Sequence, residues 1–179
     1  MNYQEILTFW FDECSPSQWF EKDLSFDALI KKRFLNIHGQ VSRGEKSSWR
    51  KTIEGRLAEI IVLDQFSRNL FRDSAQSFAY DGMALVLTQE AIATGELDAL
   101  TTEQRAFLYM PLMHSESLVI HEEALKCFSD QGMEQNLAFE YKHRDILVRF
   151  GRYPHRNKVL GRPSTEEEIA FLKEPGSSF

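Results

Sequence analysis

The sequence predicts an all-α domain of seven to eight helices packed as antiparallel hairpins, and three observations predict it. Apolar residues recur at intervals of three and four along almost the whole chain. Helix-type caps punctuate those stretches, and no run alternates apolar and polar residues long enough to make a strand. The 179 residues hold no long Pro/Gly/Ser linker, which suits one domain over 1–179. With 42% hydrophobic residues and 14 Phe, that domain can bury a sizeable core.

Each element follows from a local pattern. YQEILTFWF makes a short amphipathic first helix that ends between Asp12 and Pro16. From Asp23 to about Val41, Leu24, Phe26, Leu29, Ile30, Phe34 and Ile37 share one helical face, and Gly39 with SRGEKSS marks its decay. Thr52 to Arg68 is apolar on more than one side through Leu57, Ile60, Ile61, Val62, Leu63 and Phe66, as a central buried helix would be. Ser77 to Ala93 forms the next helix, stopped by Thr94-Gly95. TTEQ at 101–104 matches a capping box and opens a helix through Phe107, Leu108 and Met110. Pro111 kinks that helix or divides it from SESLVIHEEALKCFSD. Gly132 precedes a helix over 134–149, and Gly151 is its left-handed cap. STEE at 164–167 reads as a second capping box, leading a short helix to about Lys173 before a PGSSF tail. No fixed-period repeat is visible.

Composition excludes whole classes. A net charge of -6 argues against a nucleic-acid or membrane-surface binder, which would present a large basic face. No apolar run approaches the ~18 residues of a membrane span, and MNYQEILTFWF lacks the basic and apolar regions of a signal peptide. Cys14 and Cys127, outside any CxxC pattern, read as reduced thiols, so the expected address is cytoplasmic. Nothing implies a cofactor. His114 and His121, seven apart, lack the HExxH or cysteine cluster of a metal site, and a Ser117–His121 pair lacks a nucleophile elbow. No metal is expected.

Polar residues inside apolar stripes carry the functional clues. Asp64 and Arg68 continue the line of Leu57 and Ile61, with the acid first as in a favourable i,i+4 ion pair. They read either as a buried clamp or as an arginine reaching a ligand while the acid orients it. His114 and Glu116 sit at a helix start beside the proline break. In FGRYPHRN, Tyr153 precedes Pro154 and is biased to extended geometry, so His155, Arg156 and Asn157 fall in a constrained loop with Arg152. Arginine forks suit carboxylate or phosphate, and histidine adds a titratable donor. SRNLFR (67–72) and HRNKVLGR (155–162) both follow long helices, which would bring Arg68, Arg152, His155 and Arg156 to one end of the bundle.

LDQFSRNLFR, FLYMPLMHSES and FGRYPHRNKVLGRPSTEEEIAFL, in that order and with FWF near the start, resemble a bacterial family known as domain of unknown function number nine hundred and twenty-four. Ser67 departs from the family's usual proline after DQF. The resemblance covers essentially the whole chain. It implies a tetratricopeptide-like helical fold, and it implies no activity and no set of site residues.

Three functional readings follow. In the first, the chain is a binding or adaptor protein for a small anionic ligand or an acidic peptide. Arg68, Arg152 and Arg156 then supply charge, while Asp64, Asn69, His155 and Asn157 fix orientation. In the second it is a small-molecule enzyme with His114 or His155 as acid/base, Glu116 as partner and arginines as stabilisers. In the third the same groups form a structural polar network. Oligomeric state is left open by the sequence.

Overall fold

A computed structural model describes residues 1–178; Phe179, the end of the PGSSF tail, lies outside the described residues. They form nine helices and no strand, as the periodicity predicts. In chain order these are α1 (3–13), α2 (Pro16–Phe20), α3 (Leu24–Ser42), α4 (53–70) and α5 (Asp81–Ala93). They continue as α6 (Thr102–Met113), α7 (Leu118–Cys127), α8 (Glu134–Phe150) and α9 (Glu166–Phe171). No helix among the described residues is long and apolar enough to cross a membrane.

Helix α4 is the axis of the fold, and α1, α3, α5 and α6 all pack on it. Its Leu57, Ile60, Ile61, Leu63 and Phe66 are fully buried, as a helix apolar on several sides requires. Around it Phe9, Trp10, Phe34 and Phe66 interlock, with Phe9–Phe34 at 4.6 Å and Phe34–Phe66 at 4.9 Å between ring centroids. Gly55 lets the Ser47–Lys51 turn press onto α4, because a Cβ there would stand 2.0 Å from the Trp49 carbonyl oxygen. Consecutive helices then pack in sequence, α5 on α6, α6 on α7 and α7 on α8. This succession fits the tetratricopeptide-like arrangement of paired helices.

Several boundaries differ from expectation for local reasons. Leu24 and Leu29 face solvent, so the buried stripe of α3 is Phe26, Ile30, Phe34, Ile37 and Val41. Helix α5 begins at Asp81 rather than Ser77, because Ser74 caps a separate 3-10 turn over Ala75–Phe78. Pro111 stays inside α6, which ends at Met113 with His114 as its cap. The break before α7 covers Ser115 to Ser117, so His114, Ser117 and His121 do not share one helical face. Pro154–Arg156 forms a 3-10 turn instead of an irregular loop. The last capping box is Thr165 with Glu168, one residue later than expected, and α9 ends at Phe171.

A second, small cluster of Ile146, Leu147, Tyr153 and Phe171 seats the C-terminal segment on α8. Gly151, at φ 71°, ends α8 in the left-handed conformation and turns the chain back toward α6. That reversal brings Arg156 to Asp81 at the start of α5 and to the His114 carbonyl at the end of α6.

Candidate functional site

The site grows from α4. Over Val62–Phe66 its hydrogen-bond ladder widens to a π-helical turn, a local irregularity that recurs at functional positions. Asp64 lies in that turn, fully buried, and its carboxylate has three partners. Gln65 Nε2 donates to Oδ2 at 2.6 Å, Arg68 Nη1 is 3.1 Å from Oδ1, and His114 Nδ1 is 2.7 Å from the same oxygen. Burial alone would push the Asp64 carboxyl up. The Arg68 charge and the His114 contact outweigh it and hold the group below the usual carboxylate range.

Arg68 then bridges outward. Its two terminal nitrogens donate to Asp81 Oδ1 and Oδ2, both at 3.1 Å, in the bidentate geometry that suits a guanidinium. Arg156, from the 3-10 turn, reaches the same carboxylate at 3.3 Å and donates to the His114 carbonyl at 3.0 Å. Its guanidinium also stacks between Phe78 and Tyr153, 4.5 and 4.7 Å from their ring centroids. Arg156 is 92% buried by neighbours that leave only 8% of its side chain exposed, and its Nε has no hydrogen-bond partner among the described residues. Burial is the main reason its pKa is lowered. His155 follows the same rule, pushed down to about 4 by burial and then by Arg156. The rim is partly open, since the side chains of Arg68, Asp81 and His114 are 23%, 18% and 16% exposed.

The remainder of the basic loop is committed elsewhere. Arg152 makes a two-pronged bond to Glu168 at 2.7 and 2.9 Å and donates to the Pro163 carbonyl. Arg162 does the same to Glu116 at 2.7 and 2.9 Å, and Glu116 also accepts the Tyr153 amide. Asn157, buried, joins the two pairs by donating to Glu168 and accepting from Arg162. These contacts form a clamp that holds the loop closed. Asn69 turns away entirely and donates to Asp27, which Arg72 also grips.

Of the residues singled out in the sequence, Asp64, Arg68, His114, His155 and Arg156 therefore converge. Arg152, Glu116 and Asn157 belong to the adjoining clamp, and Asn69 lies outside both. Asp81 was not legible as a member, because an acid at a helix start is expected for the dipole alone. Phe78 and Tyr153, whose rings carry the arginine, gave no polar signal. His121 also has a partner that spacing could not reveal. It is buried against Glu140 from α8, and Tyr153 Oη lies 3.1 Å from its Nε2. Among the described residues, no group of three or more His, Cys, Asp and Glu side chains has the geometry of a metal site.

The solved structure of ATU0120, a protein of unknown function from Agrobacterium tumefaciens, is similar over 96% of both chains, at 37% identity and a TM-score of 0.90. Among curated proteins there is no match. A family model matches residues 6–176, and the chain thereby belongs to the family described as bacterial protein of unknown function, DUF924.

Proposed function

We propose that the chain is a binding protein for a small anion, held where Arg68 and Arg156 share Asp81, beside His114 and His155. One observation carries this reading. Arg156 is buried almost completely, shares a single carboxylate with Arg68, and keeps a buried Nε with no hydrogen-bond partner among the described residues. A buried cation left under-satisfied is costly, and an anion that displaces or shares Asp81 would relieve the cost. The partly exposed rim gives such an anion a route in. A carboxylate or phosphate monoester matches two guanidinium forks better than a spherical ion does.

A thermal-shift series with sulfate, phosphate and small carboxylates, against chloride at equal ionic strength, tests the reading. At ten times its Kd a site ligand adds about 1.4 kcal/mol and raises Tm by about 3–5 °C. Arg156→Gln should abolish the shift while Arg152→Gln keeps it. An identical response in both variants would overturn the assignment.

A second reading, acid–base chemistry on the bound anion, is favoured by the Asp64–His114 contact. A buried carboxylate that fixes Nδ1 leaves Nε2 as the working nitrogen, the arrangement of a general base. Glu116, the partner expected from sequence, is occupied by Arg162, so Asp64 would take that part. Turnover of any bound carboxylate or phosphate ester that is lost in His114→Gln, with binding retained, would support it.

A further inference from the structure

A cleft of about 710 Å³ opens at the far end of α6 from His114. Its walls are Leu97 and Asp98 from the turn before α6, Thr102, Arg105 and Tyr109 of α6, and Asp130 and Gln131 from the turn after α7. At 1.5 Å per residue, Thr102 lies roughly 18 Å and Tyr109 roughly 7.5 Å along the helix axis from His114, and the cleft shares no lining residue with the anion site.

The hydrogen-bonding groups in its wall are mostly unspent. Arg105 Nη1 donates to the Leu100 carbonyl at 3.2 Å, which fixes the plane of the guanidinium. Its Nε is buried without a hydrogen bond and forms a long ion pair with Asp130 Oδ2 at 3.8 Å, beyond hydrogen-bond distance. That oxygen instead accepts the Tyr109 hydroxyl at 3.3 Å, and Tyr109 is itself buried. Among the described residues, Arg105 Nη2, Asp130 Oδ1 and the side chains of Asp98 and Gln131 make no hydrogen bond.

The lining thus carries one fixed cation and two carboxylates, a net charge of -1, with opposite signs on adjacent walls. A simple anion is repelled by Asp98 and Asp130, and a simple diamine competes with Arg105 for Asp130 while offering the guanidinium nothing in return. The complement is a molecule with one carboxylate and two cationic nitrogens. We infer that this cleft binds a basic amino acid, its carboxylate on Arg105 and its ammonium groups on Asp98 and Asp130, with Gln131 and Thr102 closing the rim. A volume of this size is ample for one such molecule with its first waters.

The test is a titration of the 15N-labelled protein with L-lysine, with cadaverine (which lacks the carboxylate) and with L-glutamate. At about 10 mM, well above a millimolar Kd, lysine should shift the amide resonances of Thr102, Arg105 and Gln131. Cadaverine should bind at least tenfold more weakly, and glutamate should leave those resonances in place. Arg105→Gln should erase the preference for lysine over cadaverine. Asp98→Asn, an exposed position whose side chain has no partner to lose, should weaken both. Arg156→Gln should change neither, which separates this site from the anion site. No shift with lysine, or equal shifts with lysine, cadaverine and glutamate, would overturn the inference.

Discussion

Asp64 Oδ1 lies 2.7 Å from His114 Nδ1 across 50 residues of sequence, and that contact ties the central helix to the cap of α6. Around it the charges alternate. Arg68 bonds both Asp64 and Asp81, and Arg156 continues from Asp81 to the His114 carbonyl. The ring closes on itself. Removing one charge leaves its neighbours with fewer compensating partners, so the ring holds the π-helical turn, the start of α5 and the C-terminal loop in one register.

Asp64→Asn should therefore destabilise strongly. It keeps the volume but leaves Arg68 with one counter-charge and His114 with a weaker acceptor. Breaking a buried pair from one side costs about 3–5 kcal/mol. Retention of Asp81 as a partner for Arg68 places the expected loss near the lower figure. Urea unfolding of the two proteins measures it, and a loss below about 1 kcal/mol would show that Asp64 carries little of the register.

The clamp behind the ring is predicted to act as a unit. Arg152 and Glu168 meet in a bidentate pair, with Glu168 also receiving the Thr165 amide and Asn157. The Arg152 hydrogen bond is the leading reason the Glu168 carboxyl falls to about 2. Arg152→Ala and Glu168→Ala should each destabilise by about 1–3 kcal/mol, and the double variant should lose less than their sum, by at least about 0.5 kcal/mol. Strict additivity would mean that the two side chains do not stabilise each other. Because the folded pKa is depressed, the carboxylate's contribution is present above about pH 4.5 and lost as pH falls toward about 2.

How much of this was legible in the sequence depends on range. Asp64 and Arg68 stood out because they interrupt an apolar stripe at helical spacing, and both belong to the ring. The fate of Arg152 and Arg162 was not legible, since their partners Glu168 and Glu116 lie 16 and 46 residues away. Ser164-Thr165 followed by three glutamates permits two capping registers. Glu168 is drawn to Arg152 and Asn157, and that tertiary contact selects Thr165. Local rules offered both registers, and only packing could choose.

Buried histidines set a third prediction, a loss of stability in weak acid. Burial pushes His38 and His155 down to about 4 and His143 down to about 3, from an ordinary value of 6.5. Between pH 6.5 and about 4 the unfolded chain binds more protons than the folded one, so stability falls as pH falls. Each such histidine adds up to about 1.4 kcal/mol per pH unit. Glu140, raised by burial against His121, works in the opposite sense, losing its contribution as pH rises through its folded value. Among the described residues His38 has no contact with that pair; it bonds Ser67 Oγ at 2.8 Å and packs against Phe71 and Tyr80. His38→Gln should accordingly flatten the dependence of Tm on pH above about pH 5, where most carboxylates remain ionised. An unchanged slope would remove His38 from the account.

Anion binding should be coupled to proton uptake. In formal charge Asp64 and Asp81 balance Arg68 and Arg156, so a bound monoanion leaves the four groups one negative charge in excess. Burial first, and then the Arg156 charge, push His155 down to about 4, while Glu116 acts in the opposite sense. An anion beside it favours the protonated imidazole and raises its pKa. The complex then takes up a proton that the free protein lacks, and affinity climbs as pH falls from about 7 toward 5. Sulfate is the right probe, because its own charge is constant over that range. Calorimetry in two buffers of different ionisation enthalpy counts the protons directly, and a fraction between 0 and 1 is expected, falling in His155→Asn. Sulfate that binds with no buffer dependence and no pH trend would separate the arginines from the histidines and leave the latter as packing alone.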